Sequence, residues 1–196
     1  MMYENVLPVI EDFVIGFQRD PEFYSEDTDI RRDLYSAIYR HFSQSGVQFN
    51  LPQRDLAIGY YPERGQITLT PVKTAYPIKE KFDIAVLDPE APRPLSITET
   101  MGPERYQRYW EQPVAVAVQI HLCKEEQSPE KYFRKLKSDL KKFAAYDSGT
   151  EFTGLSLLLV QGSVSELAAA YLPDAPGSYA RVVTEDGLFA WTPPIN

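Results

Sequence analysis

The chain has 196 residues, 43% of them hydrophobic and 24% charged, which is the balance of a soluble globular protein able to bury a real core in one domain, 1–196. Its net charge of −8 excludes a protein that coats nucleic acid through an overall positive surface, while leaving room for a local basic patch. The single cysteine, Cys123, excludes an internal disulfide and a multi-cysteine zinc site, and fits a reducing cytoplasm. The opening MMYENVLPVIEDF lacks the basic n-region of a secretory signal, and no apolar run is long enough for a bilayer, so a cytoplasmic protein with no membrane partner is expected.

In chain order, Val6, Ile10, Phe13, Val14 and Phe17 recur at helical spacing and predict a helix over 5–18, stopped by Asp20-Pro21. A polar loop over 21–28 leads to a second helix capped by Thr28 or Asp29, with Ile30, Leu34, Ile38 and Phe42 on its buried side and an end at Ser45-Gly46. Residues 56–61 and 66–72 read as paired strands around a Pro62–Gly65 turn. Lys81 to Asp88 is a third strand, apolar on both faces except for Asp83. Prolines 89, 92, 94, 103 and 113 punctuate the next segment, in which 94–98 reads as a short strand and 104–111 as a short helix.

The stretch 114–142, VAVAVQIHLCKEEQSPEKYFRKLKSDLKK, organises the rest. By strand alternation Val114, Val116, Val118, Ile120 and Leu122 share one face, and Ala115, Ala117, Gln119 and His121 the other. Gln119 and His121 thus project together near the strand's C-terminal end, where open α/β sheets place ligands. Ser128 is a suitable N-cap and Pro129 a suitable first helical residue. Tyr132, Phe133, Leu136, Leu140 and Phe143 form the apolar stripe of a helix over 129–144, and Lys131, Arg134, Lys135, Lys137, Lys141 and Lys142 occupy the rest. A buried strand over 153–161, a short helix over 163–172 and an exposed hairpin, 179–184 with 188–191, complete the chain. The strand, helix and strand from 114 to 161 form a βαβ unit and require a parallel pair. The expected class is α/β: a mixed central sheet with helices on both faces, N-terminal helices and a C-terminal β-hairpin.

KFDIAVLD followed by VAVAVQIHL, a helix and LSLLLV resembles the restriction-endonuclease-like, or PD-(D/E)xK, nuclease superfamily, over roughly residues 28 to 165 by order of elements. That family places an Asp on one strand and (D/E)-x-K on its neighbour, so the resemblance implies that Asp83 is the metal-binding acid and that Gln119-x-His121 stands at the second motif. Its chemistry uses two carboxylates to hold a hard cation such as Mg²⁺, which activates water for attack on a DNA phosphodiester beside the Lys. Here Gln119 keeps a ligand oxygen but loses a charge, and His121 replaces the Lys with a shorter side chain that is not a permanent cation. Asp83, Gln119 and His121 are the implied catalytic residues, with Asp83 and Gln119 as metal ligands. Lys124, Lys131, Arg134 and Lys135 are the candidate contacts to nucleic acid.

Plainer readings stand beside these. Asp83 is also placed to bond backbone at a strand end, Gln119 and His121 to form a satisfied core pair, the basic helix face to be merely solvated, and Tyr106, Tyr109 and Trp110 to pack rather than stack on bases. His41, near a helix C-terminus, carries no special signal. No P-loop, G-x-G-x-x-G or G-x-S-x-G is present, and two histidines without a nearby carboxylate run do not make a zinc hydrolase. Two functions are therefore expected from the sequence: a Mg²⁺-dependent DNA phosphodiesterase with an altered site, or a catalytically inactive nuclease-fold protein that binds or assembles with a partner. A small-molecule or regulatory protein is a third. The oligomeric state and the role of 89–113 are not encoded legibly.

Overall fold

The computed structural model describes residues 2–44, 60–61, 66–67, 72–76, 82–87, 113–146, 149, 151–162, 178–184 and 187–191. Two helices come first, α1 (Met2–Arg19) and α2 (Asp27–Gln44), joined through a 3₁₀ turn at Pro21–Phe23. The strands β1 (Tyr60–Tyr61), β2 (Gln66–Ile67), β3 (Val72–Tyr76), β4 (Phe82–Leu87) and β5 (Val114–Cys123) follow, then α3 (Pro129–Ala145), β6 (Thr153–Val160), β7 (Ser178–Val183) and β8 (Leu188–Trp191).

β1 and β2 pair antiparallel as a small sheet of their own, Tyr60 opposite Ile67. The main sheet has six strands in the order β3-β4-β5-β6-β7-β8. β3, β4 and β5 run antiparallel to one another, β5, β6 and β7 run parallel, and β8 returns antiparallel on β7. The expected βαβ unit is present: α3 crosses between β5 and β6, which pair parallel from Val116–Thr153 to Cys123–Val160.

Both faces of this sheet are covered, which is why its central strands are apolar on both sides. Val6, Ile10, Val14 and Phe17 of α1 and Ile30, Leu34 and Ile38 of α2 pack over Ile84, Val118, Ile120, Leu155 and Leu157. Tyr132, Leu136, Leu140 and Phe143 of α3 pack over Ala117, Cys123, Leu158, Val160 and Val182 on the other face. An aromatic group of Phe82, Phe143, Tyr146 and Phe152 closes the α3 side, with the Phe82 and Tyr146 rings edge to face at 5.2 Å. Gly154 lets α3 approach β6: a Cβ there would stand 2.3 Å from Cγ of Phe143.

Several expectations need correction. α2 begins at Asp27, ahead of both Thr28 and Asp29, and Ser128 sits at the N-cap of α3 without its side chain capping the helix. The 66–72 strand is described only at Gln66–Ile67, and Val72–Tyr76 is a separate strand that edges the main sheet. The pairing between β4 and β5 shifts register between Val86 and Leu87, so Val114 packs on the α3 side and Ala115 on the α1/α2 side, the reverse of simple alternation. The C-terminal hairpin is not an exposed appendage: β7 pairs parallel with β6, and Ser178, Ala180, Val182 and Val183 are buried. The expected ends at 45–46, turns at 62–65 and elements at 94–98, 104–111 and 163–172 lie outside the described residues. Among the described residues no helix is long and apolar enough to cross a membrane.

Candidate functional site

β5 is ten residues long and β4 six, and their ladder ends where Ile84 faces Val118. Among the described residues the next two amides on that edge of β5, at Ile120 and Leu122, have no strand partner, and a buried N–H without an acceptor is costly. Two carboxylates accept from these amides. Ile120 N–H donates to Asp83 Oδ2 at 2.8 Å, and Leu122 N–H donates to Asp27 Oδ1 at 2.8 Å from the first turn of α2. The other Asp83 oxygen, Oδ1, lies 3.2 Å from Nε of Arg31, also on α2. That nitrogen is buried and not aligned to donate a hydrogen bond, so the contact is an ionic one.

On the α3 side of the same strand, His121 Nε2 lies 2.7 Å from Asp139 Oδ2. Ser156 Oγ, on β6, donates to the same oxygen at 2.6 Å. A carboxylate only accepts, so the pairing puts a proton on Nε2 and makes Asp139 the hub of a three-residue group. All three are largely enclosed, with side-chain exposure of 12% for His121 and 11% for Asp139 and none for Ser156. Gln119 is directly opposite Ser156 in the parallel ladder and is buried too.

The two halves meet electrostatically at Asp83. Burial pushes its carboxyl above the ordinary value, and nearby Asp139 adds to this. The Ile120 N–H, Arg31 and His121 act in the opposite direction without cancelling it. The sequence-predicted residues are thus in one region, at the splayed junction of β4 and β5, but each already has a partner: Asp83 has Ile120 and Arg31, His121 has Asp139, and Gln119 is also engaged.

Mg²⁺ requires oxygen donors, usually one or two carboxylates with waters and substrate phosphates. Here the Asp83 oxygens face an amide and a guanidinium, Gln119 is neutral, and the Asp139 oxygen takes two donors. Among the described residues no group of three or more His, Cys, Asp or Glu is arranged to hold a metal ion. This donor set does not fit a resident dication.

The candidate phosphate contacts divide. Lys131 and Arg134 are exposed on α3, and Lys135 is half-buried with its Nζ 4.5 Å from the centre of the Tyr132 ring. Lys124 instead lines a cavity of about 310 Å³ with Glu22, Glu125 and Glu126, an acidic setting that disfavours phosphate. Sequence reasoning missed Arg31, Asp27, Asp139 and Ser156. Asp139 left a signal: it is spaced three after Leu136 and four before Phe143, an acid within the buried stripe of α3. Ser156 is likewise the polar interruption of LSLLLV. Comparison with protein-family models, curated proteins and solved structures finds no match to this chain.

Proposed function

We propose that this chain is a restriction-endonuclease-like domain that has lost catalysis and works as a binding module, meeting nucleic-acid phosphates through the exposed basic side of α3. What supports the kinship is the element order: an Asp-bearing strand antiparallel to a strand with two polar residues, then a helix, then a parallel strand. The observation that carries the loss of catalysis is the state of Asp83, whose oxygens are committed to the Ile120 amide and the Arg31 guanidinium. Lys131, Arg134 and Lys135 supply cationic groups on a chain that is otherwise acidic.

The test is fluorescence anisotropy with labelled duplex and single-stranded DNA across a salt series. Reversing Lys131, Arg134 and Lys135 to Glu is expected to abolish binding, and the wild-type log–log salt slope to reflect about 0.9 per phosphate contact. Absence of wild-type binding at low salt, or binding indifferent to the triple reversal, removes nucleic acid as the partner and leaves a protein assembly role. One observation favours a second reading, a weak Mg²⁺-dependent phosphodiesterase: Asp83 lies within electrostatic reach of both His121 and Asp139, so two acids and an imidazole share the junction. Plasmid cleavage restored by Gln119→Glu with His121→Lys supports a latent catalytic frame; cleavage by the unaltered chain supports the second reading itself.

A further inference from the structure

We infer that Arg31 is an internal substitute for the metal ion at this site: its guanidinium stands at the carboxylate where a divalent cation would bind, and it is what keeps such a cation out. The inference deepens the non-catalytic reading and rests on the junction being a nuclease-type cleft.

The geometry is asymmetric. Asp83 Oδ2 is used by the Ile120 amide, which leaves Oδ1 as the oxygen best able to serve a second partner, and Arg31 Nε is 3.2 Å from it. A dication bound to Oδ1 would sit within a few ångströms of a fixed positive charge, and two like charges at about 4 Å repel strongly even at the effective dielectric of a protein surface. The guanidinium also neutralises the one carboxylate charge that the ion would use. The fold holds the backbone of Arg31 beside the carboxylate. It lies on α2 between the buried Ile30 and Leu34, and α2 is tied to the same strand edge two residues on, through Asp27 and the Leu122 amide. Asp139, on the α3 side of the strand and engaged by His121 and Ser156, is not the partner of Oδ1; that place belongs to Arg31.

A neutral residue in place of Arg31 would therefore leave Asp83 Oδ1 open to a solvent cation. The experiment is calorimetric titration of the full chain with MgCl₂ and with MnCl₂, without nucleic acid. The wild type is expected to show no saturable binding in the low millimolar range. Arg31→Gln is expected to gain one saturable site, tighter than any wild-type binding by at least about tenfold. Arg31→Lys, which keeps the charge, should resemble the wild type, and Arg31→Gln with Asp83→Asn should lose the gained site. Arg31→Met, of similar length, replaces Arg31→Gln if that variant does not fold by circular dichroism. Saturable wild-type binding that Asp83→Asn removes overturns the inference, as does a folded neutral variant that binds metal no better than wild type. Because no DNA is present, either outcome leaves the phosphate-binding role of α3 to its own test, and failure of that test leaves the titration intact.

Discussion

Asp83→Ala removes the acceptor of the Ile120 amide, and its cost can be worked from the two bonds lost. The Ile120 amide is left without a partner in the interior of β5, a penalty of about 1–3 kcal/mol. The ion pair adds less: Arg31 is 34% exposed, so solvent screening holds its share to about 0–1 kcal/mol. The expected destabilisation is therefore about 1–4 kcal/mol, dominated by the amide. Asp83→Asn separates the parts, because its carbonyl oxygen can still accept from Ile120 while the ionic contact is gone; about 1 kcal/mol or less is expected. Urea unfolding followed by tryptophan fluorescence and circular dichroism gives both values, provided the slope with denaturant is unchanged. If Asp83→Ala lies within experimental error of wild type, or Asp83→Asn is as damaging as Asp83→Ala, the carboxylate is not acting as a strand cap and the reasoning fails.

The raised carboxyl of Asp83 predicts a pH dependence of definite sign. A folded-state value above the ordinary 3.8 means that its contribution is fully present below that pH and is lost as pH rises through the raised value. Wild-type stability should thus fall relative to Asp83→Asn as pH rises through that window; a relative gain would contradict the dominance of burial over Arg31 and Ile120. Gly154→Ala drives a methyl into the Phe143 ring and should cost about 1–3 kcal/mol, with Phe143→Leu recovering part of it in the double variant. His121→Ala leaves the enclosed Asp139 with the Ser156 hydroxyl as its donor among the described residues and should cost about 1–2 kcal/mol, while adding Asp139→Ala should cost less than the sum of the single changes. Additive losses in that cycle would separate His121 from Asp139.

The layered α/β architecture was readable because its signals are local. The period of Val6, Ile10, Val14 and Phe17, and the two-sided apolar runs of β5 and β6, each identify an element and the face or faces it buries. The paired polar positions Gln119 and His121 were equally visible as breaks in an apolar strand. What escaped notice depends on how strands end relative to one another. That the described β4–β5 ladder ends at Ile84 and Val118, with the Ile120 and Leu122 amides bonded to Asp83 and Asp27, is a fact of register, and no residue type announces it. Arg31 was invisible for the same reason: 52 positions separate it from Asp83, and on its own helix it reads as one more exposed cation. The shifted pairing at Val86 and Leu87 inverted the faces of Val114 and Ala115 in a segment where every side chain is apolar, so hydrophobic patterning could not detect it.

The most direct test of a cleft whose acid is closed by its own arginine is nicking of supercoiled plasmid by the purified chain in Mg²⁺ and in Mn²⁺, with Asp83→Ala prepared in parallel. The account predicts that wild type and Asp83→Ala leave the plasmid equally intact with either metal. Metal-dependent nicking by the wild type that disappears in Asp83→Ala would contradict it.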